Sequence, residues 1–148
     1  MSNKLPNELS PANVLPFCHA PTEGHKATLT VVNDATGNRV TVRFRKPRGF
    51  RKVLVDVMVG SDNTTDFLFA GTLQGQTLAL SPKSRAPAAK AELAKRVLDW
   101  TLAAAAKGNL MTVRCLHEGR CASCGRKLTV PESIDSGLGP ECRARLAA

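Results

Sequence analysis

The chain has no tyrosine, a single tryptophan and only 4% aromatic residues among its 148 positions. A core so poor in rings has to be built mainly from Val, Leu and Ala. No apolar run approaches the ~20 residues that cross a bilayer as a helix, so no membrane partner is expected. Met1 to Pro16 is polar and proline-bearing, without the apolar stretch of a signal peptide. Catalytic signatures are missing as well: there is no Ser-His-Asp arrangement and no phosphate-cradling glycine motif. A zinc deaminase needs H-x-E and P-C-x-x-C, whereas His117 and Glu118 are adjacent here and no proline precedes Cys121. Neither an enzyme nor a small-molecule substrate is expected.

What the chain does hold is positive charge. Lys and Arg number 21 against 12 acidic residues, for a net charge of +9. Such a balance favours a polyanionic partner, DNA or RNA, although it also serves solubility. Between Arg43 and Lys52, six of ten residues are basic: Arg43, Arg45, Lys46, Arg48, Arg51 and Lys52. Phe44 and Phe50 are interleaved with them. A hairpin tip of this kind suits phosphates, with Phe50 placed to stack on a base. The plainer reading is a solvated loop. Arg126 and Lys127 extend the basic set into the C-terminal region, with Arg120, Arg143 and Arg145 nearby.

The cysteines carry the sharpest signal. His117, Cys121, Cys124 and Cys142 are spaced H-x3-C-x2-C-x17-C, a four-ligand set of the kind that holds one structural zinc ion. Both thiolates of the C-x-x-C pair can project from one turn, and Gly125 can take the backbone conformation that follows it. Cys142 falls where Gly139, Pro140 and Glu141 predict a helix start, and the helix dipole there favours a thiolate. Few large apolar side chains lie between, so a metal is the natural source of folding energy. Cys115 competes with His117 for the fourth position, because the two would share one face of a strand. A redox C-x-x-C pair is the rival chemistry, but no βαβ pattern surrounds it. Five cysteines are an odd number clustered in a metal pattern, which predicts a reducing, cytoplasmic setting.

The run from Cys121 through Gly125-Arg126-Lys127-Leu128 to Pro131-Glu132-Ser133-Ile134, closed by Gly137-Leu138-Gly139-Pro140-Glu141-Cys142, resembles an uncharacterised zinc-binding module common in phage and mobile-element proteins. The likeness covers about His117 to Arg145. The family's usual His before the first Cys falls on His117, and Val130 replaces a residue more often acidic. Val59-Gly60-Ser61-Asp62-Asn63 and Phe67-Leu68-Phe69-Ala70-Gly71 also resemble a β segment that precedes this module in some phage proteins. The resemblance implies zinc and a phage-like origin, and no reaction.

Taken in order, residues 1–25 hold four of the nine prolines and read as an extended arm, in which Cys18, His19 and His25 are incidental. Residues 26–108 read as strands over Ala27 to Val32, Arg39 to Arg45 and Val53 to Val59, which alternate, and over Phe67 to Leu73 and Thr77 to Leu80, set off by a polar loop and the Gly75 turn. A helix follows from Pro87 to Lys107, with Leu93, Val97, Trp100 and Ala104 as its apolar stripe. Trp100 is expected to anchor that helix on the sheet, with base stacking as its second reading. Residues 109–148 form the zinc module. The expected fold is α+β: a small antiparallel sheet or barrel-like meander packed with one long helix, plus a knuckle-and-helix zinc unit. The expected function is nucleic-acid binding without strong sequence preference. The alternative is a protein-interaction module acting on a host or anti-phage defence complex.

Overall fold

The computed structural model describes residues 5–61 and 66–147. Asp62 and Asn63 of the β-segment resemblance, and the start of the N-terminal arm, lie outside them. The strand segments form one antiparallel sheet: β1 (His25–Asn33), β2 (Arg39–Lys46), β3 (Leu54–Met58), β4 (Phe67–Gln74) and β5 (Thr77–Leu80) pair in succession as a meander. A sixth strand, β6 (Val113–His117), returns to the far side of β1, so the order is β5-β4-β3-β2-β1-β6. The sheet is open, with β5 and β6 as its edges.

Alternation decides the faces. Ala27, Leu29 and Val31 of β1 and Val42 and Phe44 of β2 point into the core. The other face is polar. There Thr30 and Thr41 share a hydrogen bond of 2.9 Å across the strands, and Arg43 and Arg45 close on the buried carboxylate of Asp56. Arg43 also lies over the Phe67 ring, 4.5 Å from its centroid.

The helix α2 (Ala88–Ala106) covers the apolar face, but with a different stripe from the one its large residues suggest. Ala91, Ala94, Leu98, Thr101, Leu102 and Ala105 face inward. Trp100 is 45% exposed and Leu93 40% exposed, so Trp100 does not anchor the core. Both stripes have helical spacing. The alanine-bearing one wins because small side chains let the helix axis approach the sheet closely, while the bulky row stays at its flank.

The N-terminal arm is not extended. Residues Pro11–His19 form a helix, α1, that buries Val14, Phe17 and Cys18. Pro11 suits a first helical position, and the buried face offsets the backbone bond that Pro16 removes. The segment is stitched to the rest of the chain. Leu9 N–H donates to Cys115 O (2.9 Å), His117 N–H to Asn7 O (3.0 Å), and Arg114 reaches both Glu8 and Asp34.

Nor is the C-terminal region a separate unit. β6 belongs to the main sheet, with Leu29 opposite His117 and Val31 opposite Cys115. Cys121, Ala122, Leu128, Leu138 and Cys142 join Leu9, Phe17 and the sheet residues in one contiguous buried cluster. Two short helices complete it, α3 (Pro131–Ser136) and α4 (Pro140–Ala147). The boundary expected at residue 109 therefore crosses a continuous core.

Candidate metal centre and the basic end of the sheet

After β6 the chain turns at Gly119 and folds a small knuckle. Arg120 and Lys127 form an isolated antiparallel bridge, Cys121 N–H donates to Arg126 O (2.7 Å), and Gly125 N–H donates to Cys121 O (2.9 Å). Gly125 has φ +79°, the left-handed conformation a knuckle needs after its second cysteine. The helix α3 ends at Gly137, and α4 begins at Pro140, with Arg143 N–H bonded to Gly139 O (2.9 Å). Cys142 thus sits in the first turn of α4, above the knuckle.

The result is a cluster in which the sulfur atoms of Cys121, Cys124 and Cys142 all lie within 4.8 Å of one another. Cys121 and Cys142 are buried and Cys124 is half-buried. Burial raises the Cys121 thiol, but backbone N–H groups of Gly139, Cys124 and Ser123 directed at its sulfur more than offset it, so its pKa falls below the usual value. Burial pushes the Cys142 thiol up, as do its hydrogen bonds to Cys124 and Cys121. Arg145 Nη2 donates to Cys142 Sγ at 3.0 Å. Three thiolates around a divalent ion leave a net negative charge, which backbone amides and this guanidinium are placed to balance. The donor set fits a thiophilic metal ion: soft ligands, close approach and N–H groups aimed at sulfur.

The structure does not bring His117 into the sulfur group. Its Nε2 lies 2.6 Å from Ile134 O, its Nδ1 accepts from Gly119 N–H at 2.9 Å, and its ring packs on Phe17 with centroids 5.9 Å apart. Ligation by His117 would require one nitrogen to give up a backbone partner. Cys115, its rival, is fully buried in β6, where burial and the nearby Glu8 carboxylate push its thiol up to about 12. Among the described residues, no further His, Cys, Asp or Glu joins the three cysteines. The role that sequence reasoning missed is structural: Ser10 and Asn13 bind Asp135 of α3, and Thr22, beyond α1, binds Ser123 O of the knuckle (2.7 Å), so the N-terminal segment ties both down.

The basic residues divide. Arg43 and Arg45 lie on the polar face of the sheet, held by Asp56, and Phe44 is buried core. Arg48, Phe50, Arg51 and Lys52 are exposed in the turn between β2 and β3, Phe50 by 49%. Lys46, half-buried at the end of β2, stands opposite His25. A Cβ built on Gly125 would lie 3.7 Å from the His25 ring, so the knuckle sits beside that same end of β1. Arg126 and Lys127 are exposed on the knuckle, and Lys26 and Arg120 line a shared depression with His25. Knuckle and turn therefore occupy one end of the sheet.

These features define an α+β protein with a three-cysteine cluster that could hold a metal ion. In a comparison with protein families, residues 116–147 match a family of unknown function, DUF6011. No curated protein and no solved structure matches the chain. Among the described residues, no helix is long and apolar enough to cross a membrane.

Proposed function

We propose that the three thiolates hold one structural zinc ion, and that the end of the sheet beside it binds DNA or RNA through phosphates, without strong sequence preference. The observation that carries this reading is convergence. Strand register sets Lys46 and the turn bearing Arg48, Arg51 and Lys52 next to His25, and Gly125 of the knuckle that bears Arg126 and Lys127 lies beside the His25 ring. Cations that are scattered in sequence thus share one end of the molecule, which is how a phosphate-tracking surface is built. Zinc would supply no reaction there; bound by the cysteines, it would fix the knuckle that presents Arg126 and Lys127. An enzyme is the weaker reading, because the H-x-E and P-C-x-x-C pattern of a zinc deaminase is not met around His117 and Cys121. Five unpaired thiols support a reducing, cytoplasmic setting. The module's resemblance to phage and mobile-element proteins supports an accessory role in such an element.

The test is direct binding to unrelated single- and double-stranded DNA and RNA at low salt, beside a charge-matched control protein. Retention that falls steeply with salt and exceeds the control supports the proposal. Retention equal to the control at about 50 mM salt, where phosphate contacts are strong, overturns it. The second reading, a protein-interaction module, is favoured by one observation: an apolar groove that exposes Trp100.

A further inference from the structure

Beyond the metal centre and the basic end, α2 leaves a long groove along its outer flank. Its larger part has a volume of about 720 Å³, with Leu93, Val97 and Trp100 of α2 facing Val31, Val40 and Val113 of the sheet. A second depression of about 340 Å³ shares Arg39, Val40 and Leu93 with the first and continues to Val57 and Val59. The two are one channel crossing β6, β1, β2 and β3. At about 4.8 Å per strand spacing it runs about 14 Å, the length of a helical segment of about ten residues. A channel of that length suits a chain segment better than a compact small molecule. It also lies away from the basic end, since it covers Val31 and Asn33 of β1 rather than His25.

The charge on this channel has one sign. Its charged lining residues are Arg39, Arg96 and Lys90, and no Asp or Glu lines it among the described residues. None of the three cations takes part in an ion pair among the described residues. Met111, 77% exposed and at positive φ, stands at one end. Half-exposed Trp100 and Leu93 are the kind of apolar anchor that a partner desolvates, and the cations are spaced to meet carboxylates beside it. Nucleic acid fits less well, because Trp100 is the one aromatic ring lining the channel.

We propose that this channel is a docking site for an acidic, amphipathic segment of a partner protein, a helix that lies alongside α2 with apolar residues inward and Asp or Glu toward Arg39, Arg96 and Lys90. Trp100 is the only tryptophan in the chain, so its fluorescence reports occupancy directly. Peptides about three helical turns long, selected from a random display library on the full-length protein, should combine Leu, Ile or Phe with Asp or Glu. Their saturable binding should shift Trp100 emission to the blue. The double change Arg39→Glu, Arg96→Glu should weaken the selected acidic peptides by tenfold or more and favour Lys-substituted versions of them. Leu93→Ser should weaken both kinds. Far-UV circular dichroism establishes that each variant is folded, and an unfolded variant is replaced by Arg39→Gln with Arg96→Gln. Selected peptides without acidic residues, or binding that leaves Trp100 emission unmoved, would overturn the proposal. So would a single-stranded oligonucleotide that shifts the emission when no peptide does, which would reassign the channel to nucleic acid.

Discussion

Phe17 of α1 occupies the space that a side chain at Gly137 would need. A Cβ built on Gly137 would run into the Phe17 ring, with Cε2 at 2.9 Å, and would lie 3.1 Å from Leu9 Cδ2. Gly137 also has φ +72°, where it closes α3, so two independent constraints meet at one residue. Gly137→Ala should cost about 1 kcal/mol for the left-handed backbone and a further 1–3 kcal/mol for overpacking. Thermal or urea unfolding measures it. Phe17→Ala alone should cost about 3–5 kcal/mol as a large-to-small core change, and the double variant should cost less than the sum of the singles. Strict additivity would mean that the contact is not tight.

The same contact bears on the metal. Because Gly137, at the end of α3, sits against Phe17 and Leu9 and the cysteines share their buried cluster, loss of the ion should be felt beyond the cysteines. Elemental analysis should find about one zinc per chain, and Cys124→Ser should lose it. On chelation, hydrogen exchange should quicken in the knuckle, in α3 and in α1, where Ser10 and Asn13 hold Asp135. The central strands β2 and β3 should keep their protection, since their hydrogen bonds do not involve the knuckle. Folded protein without metal, carrying a disulfide between Cys121 and Cys124, would refute the metal reading.

His117 separates a ligand from a latch. With Nε2 on Ile134 O and Nδ1 on Gly119 N–H, its replacement by Ala should lower stability by about 1–3 kcal/mol, the cost of leaving buried partners unmet. Metal stoichiometry should stay at the wild-type value. If His117→Ala abolishes metal binding in protein that remains folded, His117 is a ligand in the loaded state and its ring has to turn.

The buried thiols give a pH signature. Cys115 is held at about 12 by burial and by the Glu8 charge, and burial and the neighbouring Cys115 raise Cys18 well above its ordinary value. Both should therefore stay unreactive to alkylating agents at about pH 8, where the thiolate is the reactive form. A folded-state pKa above the unfolded value gives full stability below about pH 9, where the unfolded thiols ionise, and loss as pH rises toward about 12. Urea unfolding across that window should show the decline, and Cys115→Ala should flatten it.

Much of the sheet was legible from alternation. Ala27 to Val32 and Arg39 to Arg45 each carry a period of two, and each lies in a strand. The cysteine spacing likewise foretold which sulfur atoms meet. The rest depended on tertiary contacts that leave little local trace. Proline at residues 11 and 16 reads as a break, yet the helix forms because Phe17 and Val14 find a buried surface supplied by distant residues. Two stripes of α2 are equally periodic, and side-chain size favours the Trp100 stripe, which the structure leaves at the flank. The spacing of His117 from Cys121 suggests a ligand, but the carbonyl of Ile134 in α3, a contact with no local sequence signal, holds its ring.

The exposed turn after β2 allows two physical terms of nucleic-acid binding to be tested on one loop. Changing Arg48, Arg51 and Lys52 together to Ala should weaken binding to unrelated sequences about equally, because phosphate contacts carry no base information. The slope of log affinity against log salt should flatten by about 2 to 3 units, as each neutralised phosphate contributes about 0.9. Arg43→Ala should behave differently from these: its guanidinium is tied to Asp56 and lies over Phe67, so the main loss should be in stability, with a nearly unchanged salt slope. Phe50, 49% exposed at the tip, tests stacking. Phe50→Ala should cost about 1–3 kcal/mol on single strands and little on duplex, and it should leave the salt slope in place. A change of slope with Phe50→Ala would show that the substitution disturbs the whole turn. Equal loss on single strands and duplex would remove stacking from the mechanism and leave charge alone.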